Sequence, residues 1–138
     1  DIGVEPYLIA TALRCVISQR LVRRICPKCK KSYEATEEEV RRLGLSTEKK
    51  HIFYRGEGCA DCFNTGYRGR IGVFEILEIM PEIRTLISQG AGRTAIEEEL
   101  NSDKSRFKTL KENAIELVEE GITTVKEVQR VIYEAGEA

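Results

Sequence analysis

Cys26-Pro27-Lys28-Cys29 and Cys59-Ala60-Asp61-Cys62 decide how this chain is read. In each pair the two-residue spacing lets a tight turn aim both sulfurs at one point. Two such turns supply the four soft ligands that a tetrahedral Zn²⁺ takes at about 2.3 Å. Free or disulfide-linked cysteines are the plainer alternative. With four protein thiolates a metal keeps no open position for water or substrate, so it is expected to be structural rather than catalytic. Between the pairs lie 29 residues, 30–58, more than the roughly 15 to 20 of a minimal ribbon. That stretch should carry structure of its own.

Within it, Thr36-Glu37-Glu38-Glu39 has the capping-box pattern, after which Val40 and Leu43 face inward and Gly44 stops the helix. Ile52-Phe53-Tyr54 reads as a strand leading to the second pair. Before the first pair, residues 19–25 read as a short strand running into the cysteine turn. Residues 7–18 carry Leu8, Ile9, Ala12, Leu13, Val16 and Ile17 at spacings of three and four, the pattern of a helix. That helix would place Cys15 on its apolar side as a small buried hydrophobe.

After Cys62, Phe63-Asn64-Thr65-Gly66-Tyr67-Arg68-Gly69-Arg70 reads as a turn with two arginines at its tip. Residues 71–79 are apolar at alternate positions on both faces, which predicts a strand covered on two sides. From Pro81 onward the signals are helical. Ile83, Leu86 and Ile87 form one stripe, and Thr94-x-x-Glu97 opens a second helix. Phe107, Leu110, Ala114, Leu117 and Val118 mark a third, and Thr124-x-x-Glu127 caps a fourth with Val125, Val128, Val131 and Ile132 inward. This part predicts a small helical bundle.

The chain has 138 residues, 41% of them hydrophobic, enough for one domain or two small ones. A formal net charge of −1 gives no overall field toward nucleic acid or an anionic membrane. No apolar run approaches ~18 residues. The opening Asp1-Ile2-Gly3 reads as a fragment, and five cysteines among a third of charged residues suit a reducing cytoplasm. Arg20, Arg23, Arg24, Lys28, Lys30 and Lys31 surround the first knuckle with no acid before Glu34. They read either as a rim offsetting a thiolate-rich centre or as a docking surface for an acidic partner. The lone His51 reads as a surface residue, with a metal or catalytic role as the alternative. There is no GxxxxGK[ST] loop, no HExxH and no nucleophile with a His partner, so on chemistry alone the chain is not an enzyme.

Three stretches together resemble a known family. Gly3-Val4-Glu5-Pro6-Tyr7-Leu8-Ile9-Ala10 precedes Gln19-Arg20-Leu21-Val22-Arg23-Arg24-Ile25-Cys26-Pro27-x-Cys29. Gly58-Cys59-x-x-Cys62-x-x-Thr65-Gly66-Tyr67-Arg68-Gly69-Arg70-x-Gly72-x-Phe74-Glu75 follows, and Gly121-Ile122-Thr123-Thr124-x-x-Glu127-Val128-x-Arg130-Val131 closes the pattern. Their order and wording resemble the C-terminal part of the secretion-superfamily hexameric ATPases, namely the type II secretion ATPase E and the type IV pilus assembly ATPase. The resemblance implies an α+β fold in three segments. Residues 1–25 would be the end of a RecA-like ATPase domain, 26–79 a zinc-binding metal domain, and 80–138 an all-α C-terminal domain.

It further implies that Cys26, Cys29, Cys59 and Cys62 hold structural Zn²⁺. ATP and Mg²⁺ would bind only in the full-length parent, whose phosphate loop and acidic boxes lie upstream. The parent would be a homohexamer in the cytoplasm, peripheral to the bacterial inner membrane, acting on platform and assembly proteins, with no nucleic acid expected. Arg70, Arg68, Arg20 and Gln19 would lie near a nucleotide or a neighbouring subunit; a plain surface loop is the alternative. Two other readings stay open. A stand-alone zinc ribbon would bind nucleic acid or protein through its basic knuckle and Tyr67-Arg68-Gly69-Arg70, and a redox switch would cycle the cysteines through disulfides.

Overall fold

The computed structural model describes residues 2–102 and 107–134. Asp1 and residues 103–106 and 135–138, parts of the expected segments 1–25 and 80–138, lie outside the described residues. In chain order come α1 (Pro6–Ala12), β1 (Cys15–Ile25), β2 (Lys30–Glu34), α2 (Glu37–Arg42) and β3 (Ile52–Gly56). A single 3-10 turn (Ala60–Cys62) precedes β4 (Tyr67–Glu78) and four helices, α3 (Pro81–Ser88), α4 (Arg93–Ser102), α5 (Leu110–Glu119) and α6 (Val125–Glu134). The class is α+β. Among the described residues β1 pairs with β4, and β2 pairs antiparallel with β3.

The contacts gather into two compact units, each built from two stretches of chain. The larger comprises Gln19–Phe74 and Leu110–Ala138. Its sheet of β2 and β3 is in register Lys30↔Gly56, Ser32↔Tyr54 and Glu34↔Ile52, which turns Phe53 into the interior. Phe53, Val22, Leu43 and Val73 pack there with Ala114 and Val118 of α5 and Val128 and Val131 of α6. Each large apolar side chain so buried contributes roughly 1.5–3 kcal/mol. The expected capping box forms in full: Thr36 Oγ1 accepts from the Glu39 amide (3.2 Å), and the Glu39 carboxylate accepts from the Thr36 amide (3.0 Å).

The smaller unit comprises Asp1–Ser18 and Glu75–Thr109. Here α1 packs on α3, and α3 on α4. Ala10 and Ile83 are buried. The Arg84 guanidinium donates to the carbonyls of Ala10 and Ile79, satisfying the C-terminal end of α1. No described residue of α4 is buried, so its hold on the unit is slight.

Several expectations need correcting. The helix expected over residues 7–18 ends at Ala12, where Leu13 turns extended (φ −74°, ψ 126°). Residues 15–18 instead begin β1, because the β-branched Val16 and Ile17 serve a strand equally well and pairing with β4 decides the matter. Cys15 is consequently exposed, not buried. The strand expected to be covered on both faces is covered on one: Val73 and Ile79 are buried, whereas Phe74 and Ile76 are 43% and 52% exposed. Thr94 lies inside α4 rather than at its cap, and Glu97 pairs with Arg93 (2.6 Å). The four helices after Pro81 all form, but with different partners. Helices α3 and α4 belong to the smaller unit, and α5 and α6 to the larger, where they complete the core of the cysteine-bearing part.

Candidate metal centre

The first cysteine turn links β1 to β2, and the second lies between β3 and β4. Backbone bonds join them: the Cys26 amide donates to Gly66 O (2.9 Å) and the Glu57 amide to Cys29 O (3.1 Å). Two glycines make this approach possible. A Cβ on Gly56 would sit 2.1 Å from Gly66 O, and one on Gly66 would sit 2.5 Å from Gly56 O. In the second knuckle the tight backbone falls on Phe63 (φ 54°) and Asn64 (φ 60°) rather than on glycine alone. Left-handed backbone costs roughly 1–2 kcal/mol per such residue. Bonds from the Asn64 amide to Cys59 O (2.8 Å) and from Thr65 Oγ1 to Cys62 O (2.6 Å) hold it in place.

The four sulfurs of Cys26, Cys29, Cys59 and Cys62 all lie within 4.8 Å of one another. Sγ–Sγ separations are 3.7 Å for Cys26–Cys59, 3.8 Å for Cys29–Cys62 and 3.6 Å for Cys59–Cys62. Four ligands about 2.3 Å from a common centre stand ~3.8 Å apart along a tetrahedron's edges, so the spacing fits one metal ion. It does not fit disulfides, whose sulfurs are about 2.05 Å apart. Cys26, Cys29 and Cys62 are buried, and Cys59 is half-buried.

Backbone amides point at the sulfurs. Gly58 donates to Cys29 Sγ (3.3 Å), and Cys59 and Gly66 donate to Cys62 Sγ (3.3 and 3.2 Å). Burial pushes the Cys29 thiol up to about 11. Burial acts the same way on Cys62, but the amides of Cys59 and Gly66 outweigh it and bring that thiol down to about 6. These amide donors favour the thiolate form of Cys62, the form in which a cysteine ligates a metal.

The basic residues around the knuckles are mostly engaged. Lys28 and Arg68 converge on Asp61 (3.4 and 3.5 Å); with all three exposed, these pairs add little stability. Lys30 stands 4.8 Å over the Tyr54 ring and Arg23 4.1 Å over the Tyr67 ring. Arg68 and Arg70, with Arg24 and Lys30, line one shallow depression. Arg70 also lines a second with Arg23, Lys126 and Arg130. Gln19 and Arg20 lie elsewhere on β1, the Arg20 guanidinium on the Gln19 carbonyl (3.0 Å). The structure therefore brings Arg68 and Arg70 together on one depression, and Gln19 Nε2 stands 2.8 Å from where a Cβ on Gly72 of β4 would sit. His51 Nε2 lies 2.8 Å from Ser46 O, closing its own loop away from the sulfurs.

Sequence reasoning missed a polar clamp in the same unit. Glu127 is 2% exposed. Its Oε2 accepts from the Arg23 amide (2.9 Å) and Arg130 Nη2 (3.1 Å), and its Oε1 from Arg23 Nε and Nη2 (both 2.9 Å). Burial pushes this carboxyl up, but the Arg23 amide and the two guanidinia outweigh it and hold it below the usual carboxylate range. Thr124 Oγ1 still caps α6 by accepting from the Glu127 amide (3.3 Å) and lies 2.8 Å from the Tyr67 hydroxyl. The signal was in the Thr124-x-x-Glu127 pattern, where the acid looked like half of a capping box.

Among the described residues no helix is long and apolar enough to cross a membrane. A family model described as type II/IV secretion system protein matches residues 1–130. The chain is 37% identical to the type II secretion system ATPase E of Vibrio cholerae, over 98% of this chain and 26% of that protein. It is 42% identical to the type IV pilus assembly ATPase PilB of Thermus thermophilus, over 93% of this chain and 14% of that one. A third relative, the type II secretion system protein E of Pseudomonas aeruginosa, is 35% identical over 97% of this chain and 26% of its own length. The chain thus spans about a quarter or less of these relatives. With nearly all of its length matched by the family model, the chain belongs to the type II/IV secretion system protein family.

Proposed function

We propose that this chain is the zinc-stabilised, non-catalytic C-terminal module of a traffic ATPase that powers type II protein secretion or type IV pilus assembly by ATP hydrolysis in the full-length protein. The observation that carries the reading is the all-cysteine set, at tetrahedral-edge spacing and cradled by three amide donors. Four thiolates favour a thiophilic ion without redox demands, and they leave it closed to substrate. Zn²⁺ there ties the two knuckles together and fixes the start of β4, where Arg68 and Arg70 lie within the strand rather than at the tip of the expected turn. Those two arginines, with Arg20 and Gln19 along β1, face a nucleotide or a neighbouring subunit of the parent hexamer. The parent works in the cytoplasm against inner-membrane platform and assembly proteins. In this reading residues 1–25, 26–79 and 80–138 derive from the end of the RecA-like domain, the metal domain and the helical C-terminal domain, with α5 and α6 of the last packed on the core of the metal domain.

Elemental analysis of the chain, purified in reductant without chelator, should find about one zinc per chain. A stoichiometry well below that, or another metal in its place, would overturn the zinc assignment. Because the knuckles share a unit with α5 and α6, chelation should speed amide exchange in those two helices as well as in β2 and β3. In the full-length protein, Cys59→Ser should lower secretion or piliation while nucleotide binding persists. Unchanged secretion by a protein shown to lack the metal would sink the proposed role.

A further inference from the structure

The smaller unit carries an apolar groove whose charged lining, among the described residues, is acidic. Ile76 and Leu77 of β4 line it with Met80, Ile83, Leu100 and Phe107. Glu78, Glu82 and Glu99 line it too, and among the described residues no lysine or arginine does. None of the three carboxylates has an ion pair or a hydrogen bond among the described residues. Two cations of this unit are engaged elsewhere: Arg84 on the carbonyls of Ala10 and Ile79, and Arg93 on Glu97. The cavity is about 200 Å³, below the roughly 300–1,000 Å³ of pockets that hold drug-sized ligands. It suits one large apolar side chain.

We propose that this groove docks a basic amphipathic segment of a protein partner, which inserts a leucine- or phenylalanine-sized anchor and sets lysines or arginines against Glu78, Glu82 and Glu99. Helix-in-groove recognition uses this arrangement, with apolar anchors giving affinity and rim charges giving specificity and speed. Met80 adds an adaptable surface for the anchor. The same rim disfavours the alternatives, since three carboxylates repel anionic lipid and nucleic-acid phosphate alike. No cysteine of the metal centre lines the groove, so its test does not depend on the identity of the metal.

Methyl NMR of the metal-loaded chain, titrated with a synthetic leucine/lysine amphipathic helix, reads the proposal directly. The methyls of Ile76, Leu77, Met80 and Leu100 should shift together, and affinity should fall as salt rises. A leucine/glutamate helix of the same pattern should leave them unmoved. Charge reversal at exposed Glu82→Lys should weaken the lysine peptide about tenfold or more, equivalent to ~1.4 kcal/mol, with the circular dichroism spectrum unchanged. The proposal is overturned if the groove methyls stay still, if the perturbation maps to the glutamates of α5 instead, or if both peptides bind alike.

Discussion

Glu127 gives the sharpest test of how the larger unit holds together. Glu127→Ala removes the acceptor of the Arg23 amide and of two guanidinia in a single step. Each hydrogen bond to a charged group is worth roughly 1.5–3 kcal/mol, but these four are not independent. The side chains of Arg23 and Arg130 are 48% and 46% exposed, so water re-solvates the guanidinia once the carboxylate is gone. The loss should therefore fall to about 3 kcal/mol, at the low end for a broken buried pair. Glu127→Gln keeps the shape and one acceptor, and should cost about 1–2 kcal/mol.

Acid dependence supplies the control. The folded protein holds this carboxyl below its ordinary value, so its stabilisation is complete above about pH 4.3, the unfolded value, and is lost as pH falls through the folded value. The glutamine variant should lack that portion of the acid slope. Urea unfolding followed by circular dichroism from neutral to acid pH measures both effects, and hydrogen exchange at the Arg23 amide reports the clamp itself. If both variants unfold within about 0.5 kcal/mol of the parent, the range of an ordinary surface substitution, the carboxylate does not hold β1 to α6 and the reasoning fails.

Two further outcomes follow from backbone geometry. Gly56→Ala drives a Cβ to within 2.1 Å of Gly66 O; overpacking against backbone should cost at least ~3 kcal/mol and lower metal retention, whereas Gly92→Ala, with nothing within 4 Å of the added Cβ, should stabilise by about 0.4–1 kcal/mol. Equal melting temperatures for the two variants would refute the close-approach argument. Thr36→Ala deletes half of the capping box ahead of α2 and should cost about 1 kcal/mol, read as faster exchange of the Glu39 amide; an unchanged rate would mean that the box contributes nothing.

Much of this was legible in the chain because local chemistry decided it. The two-residue cysteine spacing anticipated each knuckle, Thr36-x-x-Glu39 the cap, and Pro81 the start of α3, each from residues within a few positions of one another; only the match of the two knuckles reached across 29 residues. What failed depended on distant partners. Val16 and Ile17 fit a helix or a strand equally well, and pairing with β4, some sixty residues on, chose the strand. Glu127 could be read as a cap because nothing near it in the chain announces Arg23, 104 residues earlier. The partners of α5 and α6 were hidden for the same reason. An amphipathic face says that a helix is covered, but not by what.

The larger unit closes around a core whose two halves are far apart in the chain. Of the twelve buried residues of that core among those described, eight lie at or beyond Leu110. A ribosome that has just released Phe74 must still make the 35 residues 75–109 before the first of those eight appears, about 2–7 s at ~5–20 residues per second. During that interval all four knuckle cysteines already exist, but Phe53, Val22 and Val73 lack most of their cover. The cysteine cluster is therefore available to a metal ion first, with the apolar seal formed afterwards. The same arithmetic means that a chain truncated after residue 109 keeps all four knuckle cysteines but loses two-thirds of the described core residues.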